Sequence, residues 1–389
     1  MPQWDVRFDL KVDFSNQELV RLAAEAHAFA SVIREIPIPP YLQQRLDAVN
    51  ILRAVRGTTA IEGANASTEE IREIMQSPSE KILPPSRARE EQEVRNAQDA
   101  MYYVATILKN DPLHPLTESL ICELHRQLTQ GIDYESNIPG SYRSHAVHAQ
   151  EYRPPGTGEE VRDLMKRFVD WANTPPASNW DPILRALAAH FYLISIHPFA
   201  DGNGRTSRAV ESFLLYQGKV NARGFYSLAN FYYQNRTEYV QQLDHARFTS
   251  GGNLTPFMLF ATRGLVEELK HVHSDVIDEV KVISFRDYAR EQFLTEGLLG
   301  TKAGVRGFEL LMRIDREPLP LAEIYSLPQY KNVTMRTIQR DLKFLGENNL
   351  IVIENGELRL NIDLMSQFTA IEELEAAIDD AEVDDELFE

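Results

Sequence analysis

Between about Tyr41 and Thr262, apolar residues recur three and four positions apart, the spacing of helices that bury one face. In TESLICELHRQLTQ, Leu120, Leu124 and Leu128 share a face behind Thr117, whose hydroxyl suits an N-cap. SRAREEQEVRNAQDAMYYVATILKN lines up Val94, Met101, Val104 and Leu108 in the same way, and EEVRDLMKRFVDWAN continues the pattern. DPILRALAAHFYLISI opens with Asp181 as cap and Pro182 at the first helical position, where a missing N–H does no harm. The stretch 139–158, PGSYRSHAVHAQEYRPPGTG, interrupts this order with Pro and Gly at both ends and predicts a small hairpin or flap.

Beyond 262 a connecting helical stretch (263–302) leads to a second compact unit over 303–362. GFELLMRID, LAEIYSL and TMRTIQRDLKFLGENN predict three short helices. LIVIENGELRLNI predicts two strands joined by Asn355-Gly356, a strong two-residue hairpin signal. Three helices and a hairpin make the pattern of a winged helix-turn-helix. The chain thus divides into an N-terminal helical region (1–110), a core (111–262), the connecting helices, the second unit and an acidic tail (363–389).

With 389 residues and 43% hydrophobic content the chain can bury a large core. Its net charge of −18 opposes broad attraction to nucleic acid or anionic membranes, and ten of the excess acids lie between Glu372 and Glu389. The single cysteine, Cys122, excludes an intrachain disulfide and suits a reducing cytoplasm. No secretory or bilayer-spanning pattern is expected, since even Leu184–Ile196 is interrupted by Arg185 and His190. His145 and His148, like His271 and His273, lack partners at metal-ligating spacing, which argues against zinc.

The chemistry concentrates in HPFADGNGRTSR, residues 197–208. His197 precedes Pro198, so it is expected at a helix end. Asp201-Gly202-Asn203-Gly204 can turn several backbone N–H groups into one concavity, and a second helix starting near Arg205 adds its N-terminal dipole. Arg205 and Arg208, three apart, share a face and suit phosphate oxygens. No P-loop pattern occurs anywhere in the chain.

This stretch fills every position of H-P-F-x-[DE]-G-N-G-R-x-x-R and resembles the signature of the Fic family of protein adenylyltransferases. LHRQL, PGSYR and NRTEYVQQL around it also look like Fic sequence, and the resemblance covers most of 41–262. It implies a mainly α fold, a Fic-type helical core with a small β-hairpin flap, here joined to the C-terminal winged helix. It further implies transfer of AMP from ATP to a Ser, Thr or Tyr hydroxyl of a target protein or of the enzyme itself. His197 would be the general base and Asp201 the ligand of Mg²⁺. Gly202, Asn203, Gly204 and the two arginines would cradle the phosphates, with Thr206 and Ser207 as further donors. Phe199 reads as a core anchor. By the same resemblance Ala149, Gln150, Glu151 and Tyr152 would form a strand edge that docks the target. Tyr239 is similar to an aromatic of the nucleotide pocket, or is a helix-packing tyrosine.

TTAIEG, 58–63, matches the family's inhibitory pattern, with Thr58 and Glu62 one helical turn apart and Gly63 suited to a left-handed cap. The resemblance implies that Glu62 pairs with Arg208 in place of the γ-phosphate. A homodimer is also implied. Two other readings stay open: a nucleotide-sensing DNA-binding regulator, and a hydrolase that removes AMP at the same site. Residues 304–362 carry eight basic and eight acidic side chains, a balance that does not favour DNA over protein docking.

Overall fold

The computed structural model describes residues 5–77, 80–149, 152–220, 228–314 and 318–366. The chain divides into two compact units, Met1–His273 and Ser274–Glu389. The acidic tail from 367 onward lies outside the described residues.

In the first unit the helices are α1 (Gln17–Glu35), α2 (Pro40–Ile61), α3 (Thr68–Gln76), α4 (Ala88–Asn110), α5 (Glu118–Thr129), α6 (Gly158–Asn173), α7 (Pro182–Ile196), α8 (Asn203–Gln217), α9 (Leu228–Gln234) and α10 (Arg236–Asp244). A further helix, α11 (Thr255–Thr295), begins in this unit and runs past His273 without a break. Several starts are capped as expected: the Thr117 side chain accepts the Leu120 N–H, and Asp181 accepts that of Ile183.

α7 is apolar on nearly all sides and correspondingly buried, the usual fate of a helix without a polar face. It packs between α6 and α8, while α4 and α5 cover the other side of α8. α2 lies along α4 and α9. The α2–α9 contact needs a glycine, because a Cβ on Gly57 would run into the Ala229–Asn230 backbone. The central segment of the fold is therefore the α7–loop–α8 hairpin, held by neighbours on all sides.

In the second unit, α12 (Lys302–Arg313), α13 (Leu321–Ile324) and α14 (Met335–Glu347) accompany an antiparallel sheet of β1 (Leu319–Pro320), β2 (Ile351–Glu354) and β3 (Glu357–Leu360), ordered β1-β3-β2. Asn355 and Gly356 join β2 to β3 with φ of 52° and 81°, the two positive values that a tight hairpin turn of this kind requires. Phe285, Phe293, Leu310, Leu345 and Leu358 form its core, and Arg306 bonds Asp341 (2.8 Å) between α12 and α14. Among the described residues, no helix is long and apolar enough to cross a membrane.

Candidate active site

His197 ends α7 in the left-handed region (φ 51°, ψ 57°), which turns the chain into the loop. Such a posture costs an L-residue about 1–2 kcal/mol, so neighbours must impose it. Arg143 does so: buried at the base of the flap, it donates from Nε to the His197 carbonyl (2.7 Å) and from Nη2 to Pro155 O (2.7 Å). Its own N–H bonds Pro198 O (2.9 Å). A cation at the carbonyl end of α7 also complements the helix dipole.

The imidazole Nδ1 lies 3.3 Å from Ile194 O. A carbonyl only accepts, so Nδ1 carries the proton and Nε2 keeps its lone pair. Burial pushes this imidazole down to about 4, against the opposing bond to Ile194, and the charges of Arg143 and Arg247 act in the same direction as burial. His197 is thus neutral at physiological pH, in the tautomer that suits a proton acceptor.

The loop is held from inside. His125 stacks flat on Phe199, with centroids 3.6 Å apart, accepts the Gly140 N–H at Nδ1 (2.9 Å) and donates from Nε2 to Asp201 O (3.0 Å). Burial lowers its pKa to about 4, so it stays neutral and serves both bonds. Phe199 is fully buried, as an anchor should be. Gly202 caps α8 with φ 74°, and a Cβ there would lie 2.7 Å from Thr129 Cγ2. Gly202→Ala is therefore expected to lower stability by about 2–4 kcal/mol, combining left-handed strain with overpacking. Thermal unfolding measures this, and an unchanged midpoint would contradict it.

Several side chains expected at a ligand make bonds within the protein. Asn203 uses both ends of its side chain on Phe199, accepting its N–H (2.9 Å) and donating to its carbonyl (2.9 Å). Its amide shapes the loop and is not free to reach phosphate. Thr206 and Ser207 are fully buried and donate to Gly202 O (2.9 Å) and Asn203 O (2.8 Å), the carbonyls one turn back. They are not donors to a ligand. At the flap, Ala149 and Tyr152 bond each other through both N–H groups (3.1 and 2.9 Å). Tyr152 is also sunk in the core, its hydroxyl donating to Ser195 O (2.8 Å). Gln150 and Glu151 lie outside the described residues.

Arg205 is buried, donates to the Tyr134 hydroxyl and to Asp201 Oδ1 (3.2 Å), and stands 3.5 Å from Glu93 Oε1. It steadies the Asp201 carboxylate, whose side chain is 45% exposed. Arg208 donates from Nε to Thr58 Oγ1 (2.9 Å) and from Nη2 to Thr58 O (3.1 Å) and Glu62 Oε1 (2.7 Å). Glu62 is the residue that ends α2, followed by Gly63 at φ 102°. A Cβ on Gly204 would collide with Glu62 Oε1, so this carboxylate rests on the first turn of α8 as well as on Arg208. Burial alone would raise the Glu62 carboxyl, yet the charges of Arg208 and Arg205 and the bond from Arg208 hold it below the usual range.

Glu62, His197, Gly204, Arg208 and Tyr239 line one cleft of about 280 Å³. Arg236 and Arg247 line it too, so three arginines face two carboxylates, Glu62 and Asp244, in a chain that is strongly acidic overall. Arg143, Arg236, Arg247 and His125 were not singled out from the sequence. The Tyr239 ring faces the cleft while its hydroxyl is committed to His190 Nε2 (2.8 Å). His190 Nδ1 in turn stands 3.0 Å from Glu211 Oε2, which accepts from the Tyr232 hydroxyl (2.9 Å). Tyr239 thus lines the cleft and packs beneath it through His190.

Among the described residues no group of three or more His, Cys, Asp or Glu could hold a metal by itself. Asp201, exposed and fixed through Oδ1 by the Gly202 N–H and Arg205, fits a cation that takes its other oxygens from a bound triphosphate.

Residues 115–215 match the Fic/DOC family. The protein adenylyltransferase fic-1 of Caenorhabditis briggsae is 30% identical over 206 residues, which cover 53% of this chain and 38% of that protein. The protein adenylyltransferase Fic of Aedes aegypti is 28% identical over 218 residues, covering 56% and 40%. The chain therefore spans about two fifths of the length of these relatives. A Fic family protein from Desulfovibrio desulfuricans G20 shares the fold with a TM-score of 0.54 at 21% identity, over 89% of this chain and 96% of that one. Fic-1 from C. elegans does so at 0.57 and 24%, over 67% and 73%.

Proposed function

We propose that this chain, whose residues 115–215 match the Fic/DOC family, is a protein adenylyltransferase that moves AMP from ATP to a hydroxyl side chain of a protein, and that Glu62 restrains it. The observation that carries the reading is the meeting of His197, with a free Nε2, and the arginine-lined anion site at the start of α8 in one cleft. A pure nucleotide sensor would need the second feature and not the first.

In the reaction, the target hydroxyl oxygen attacks the α-phosphorus while its proton passes to His197 Nε2. The new phosphorus–oxygen bond forms as the bond to the β-phosphate oxygen breaks, and pyrophosphate leaves. The N–H groups at the start of α8 and the Arg208 guanidinium offset charge on the triphosphate. Asp201 would hold Mg²⁺, which neutralises phosphate charge when bound.

Glu62 places a carboxylate where that anion site expects phosphate, at both Arg208 and the α8 N-terminus. ATP must displace it to bind productively. For the second unit we propose a winged helix with a protein-docking role. Arg336, Arg340 and Lys343 are exposed on α14, but the basic and acidic side chains of residues 304–362 balance. The cytoplasm is the proposed compartment and a homodimer the proposed assembly.

The direct test is mass spectrometry of the protein after incubation with ATP and Mg²⁺, where an added AMP identifies both group and reaction. A pH profile adds a finer one. The depressed His197 pKa means that the neutral base is present at every pH above about 4. Removing Glu62, which pulls that value up, lowers it further. The kcat/KM of Glu62→Gly should therefore stay level on the acid side through the ordinary imidazole range, around pH 6.5. An acid limb centred there would show that the base is not in the environment described.

A further inference from the structure

A second cavity, of about 200 Å³, lies on the other side of Arg208 from the nucleotide cleft, between α2, α4, α8 and α9. It exists because small residues converge: Ala54, Ala97, Ala100, Ala105, Ala209 and Ala229 all face it. Its wall is mostly apolar, but both motif arginines line it together with Thr58. Arg205 is 3% exposed and its Nε–H is buried without a hydrogen-bond partner, since its other donors serve Tyr134 and Asp201. Buried donors of this kind are normally satisfied. Arg208 lines both cavities, so one guanidinium forms part of the partition between them.

We propose that this cavity binds a small carboxylate with a compact apolar body, and that its occupation holds the enzyme in the restrained state. The alanine wall takes the body, and the charge near Arg205 and its unpaired N–H take the carboxylate. Asp47 also lines the cavity but lies eleven residues before Thr58 on α2, about 16 Å along the helix, so it does not face the carboxylate end. The direction of the effect follows from which elements form the site. α2 supplies Ile51, Ala54 and Thr58, while α4 and α8 supply the opposite wall. A ligand touching both walls binds best while α2 is seated, and that is the arrangement in which Glu62 reaches Arg208. The regulatory half of this inference rests on the restraint proposed above; the binding half does not.

Benzoate serves as the probe, with benzene as the analogue lacking the acceptor. Binding is followed by ligand-observed NMR on the full chain. Ala105→Trp, a partly exposed helix position at the cavity, fills it without touching the nucleotide cleft. Benzoate should bind the wild type and bind Ala105→Trp at least about tenfold more weakly, a loss well within what blocking a pocket produces. Benzene should bind the wild type more weakly than benzoate. Saturating benzoate should reduce AMP labelling by wild type and leave Glu62→Gly unaffected. Absence of binding, or equal binding to Ala105→Trp with its thermal midpoint intact, would overturn the site. Equal binding of benzene would overturn the part given to Arg205, and inhibition of Glu62→Gly would place benzoate in the nucleotide cleft instead. If no variant transfers AMP, the transferase reading fails while the NMR result still judges the cavity.

Discussion

Replacing His197 by Ala should reduce AMP labelling by about 10²–10⁴-fold, the usual contribution of a positioned general base. ATP affinity should be nearly unchanged, because the imidazole bonds Ile194 and lines the cleft without joining the Arg208 contacts. The backbone clamp from Arg143 reaches the carbonyl and not the ring, so the loop keeps its course in the variant. Radiolabel transfer from ATP measures the first effect and calorimetric titration with ATP the second. Labelling retained at the wild-type rate would mean that another group takes the proton.

Glu62→Gly should raise labelling on the order of 10- to 100-fold, the range of coupling typical when a built-in competitor is removed from a site. The substitution deletes the carboxylate resting on Arg208 and on the start of α8, and leaves the guanidinium seated by its two bonds to Thr58. Position 62 has helical dihedrals (φ −85°, ψ 0°), which glycine adopts readily at a helix end. Because the Glu62 carboxyl is held below the usual range, its charge persists as pH falls through that range, so mild acid does not imitate the variant. The double change Glu62→Gly/His197→Ala should label about 10²–10⁴-fold less than Glu62→Gly alone. Equal labelling by wild type and Glu62→Gly would remove the restraint from the account.

The loop of the candidate site was legible in the sequence because its chemistry is contiguous: twelve residues hold the imidazole, the glycines and both arginines. The helices around it were legible from periodicity and caps. The supports were not. Arg143 and His125 act on the loop from 54 and 76 residues away; PGSYR and LHRQL mark their segments by resemblance, but not which side chain reaches the loop. Polar residues at a helix start raise a different difficulty. Thr206, Ser207 and Asn203 have hydroxyls or amides that suit a phosphate and suit a nearby carbonyl equally well, and only packing decides. At the flap, Ala149 and Tyr152 bond each other, while Gln150 and Glu151 lie outside the described residues. α11 conceals the division at 273/274 because a continuous helical repeat carries no mark of which unit each turn serves.

The left-handed posture of His197 sets its side chain against its backbone. Glycine or asparagine would occupy that spot with less conformational penalty, so the imidazole persists there against the preference of its own main chain. A chain freed of any need for the imidazole would gain stability from either residue, so chemistry and sturdiness compete at this one position.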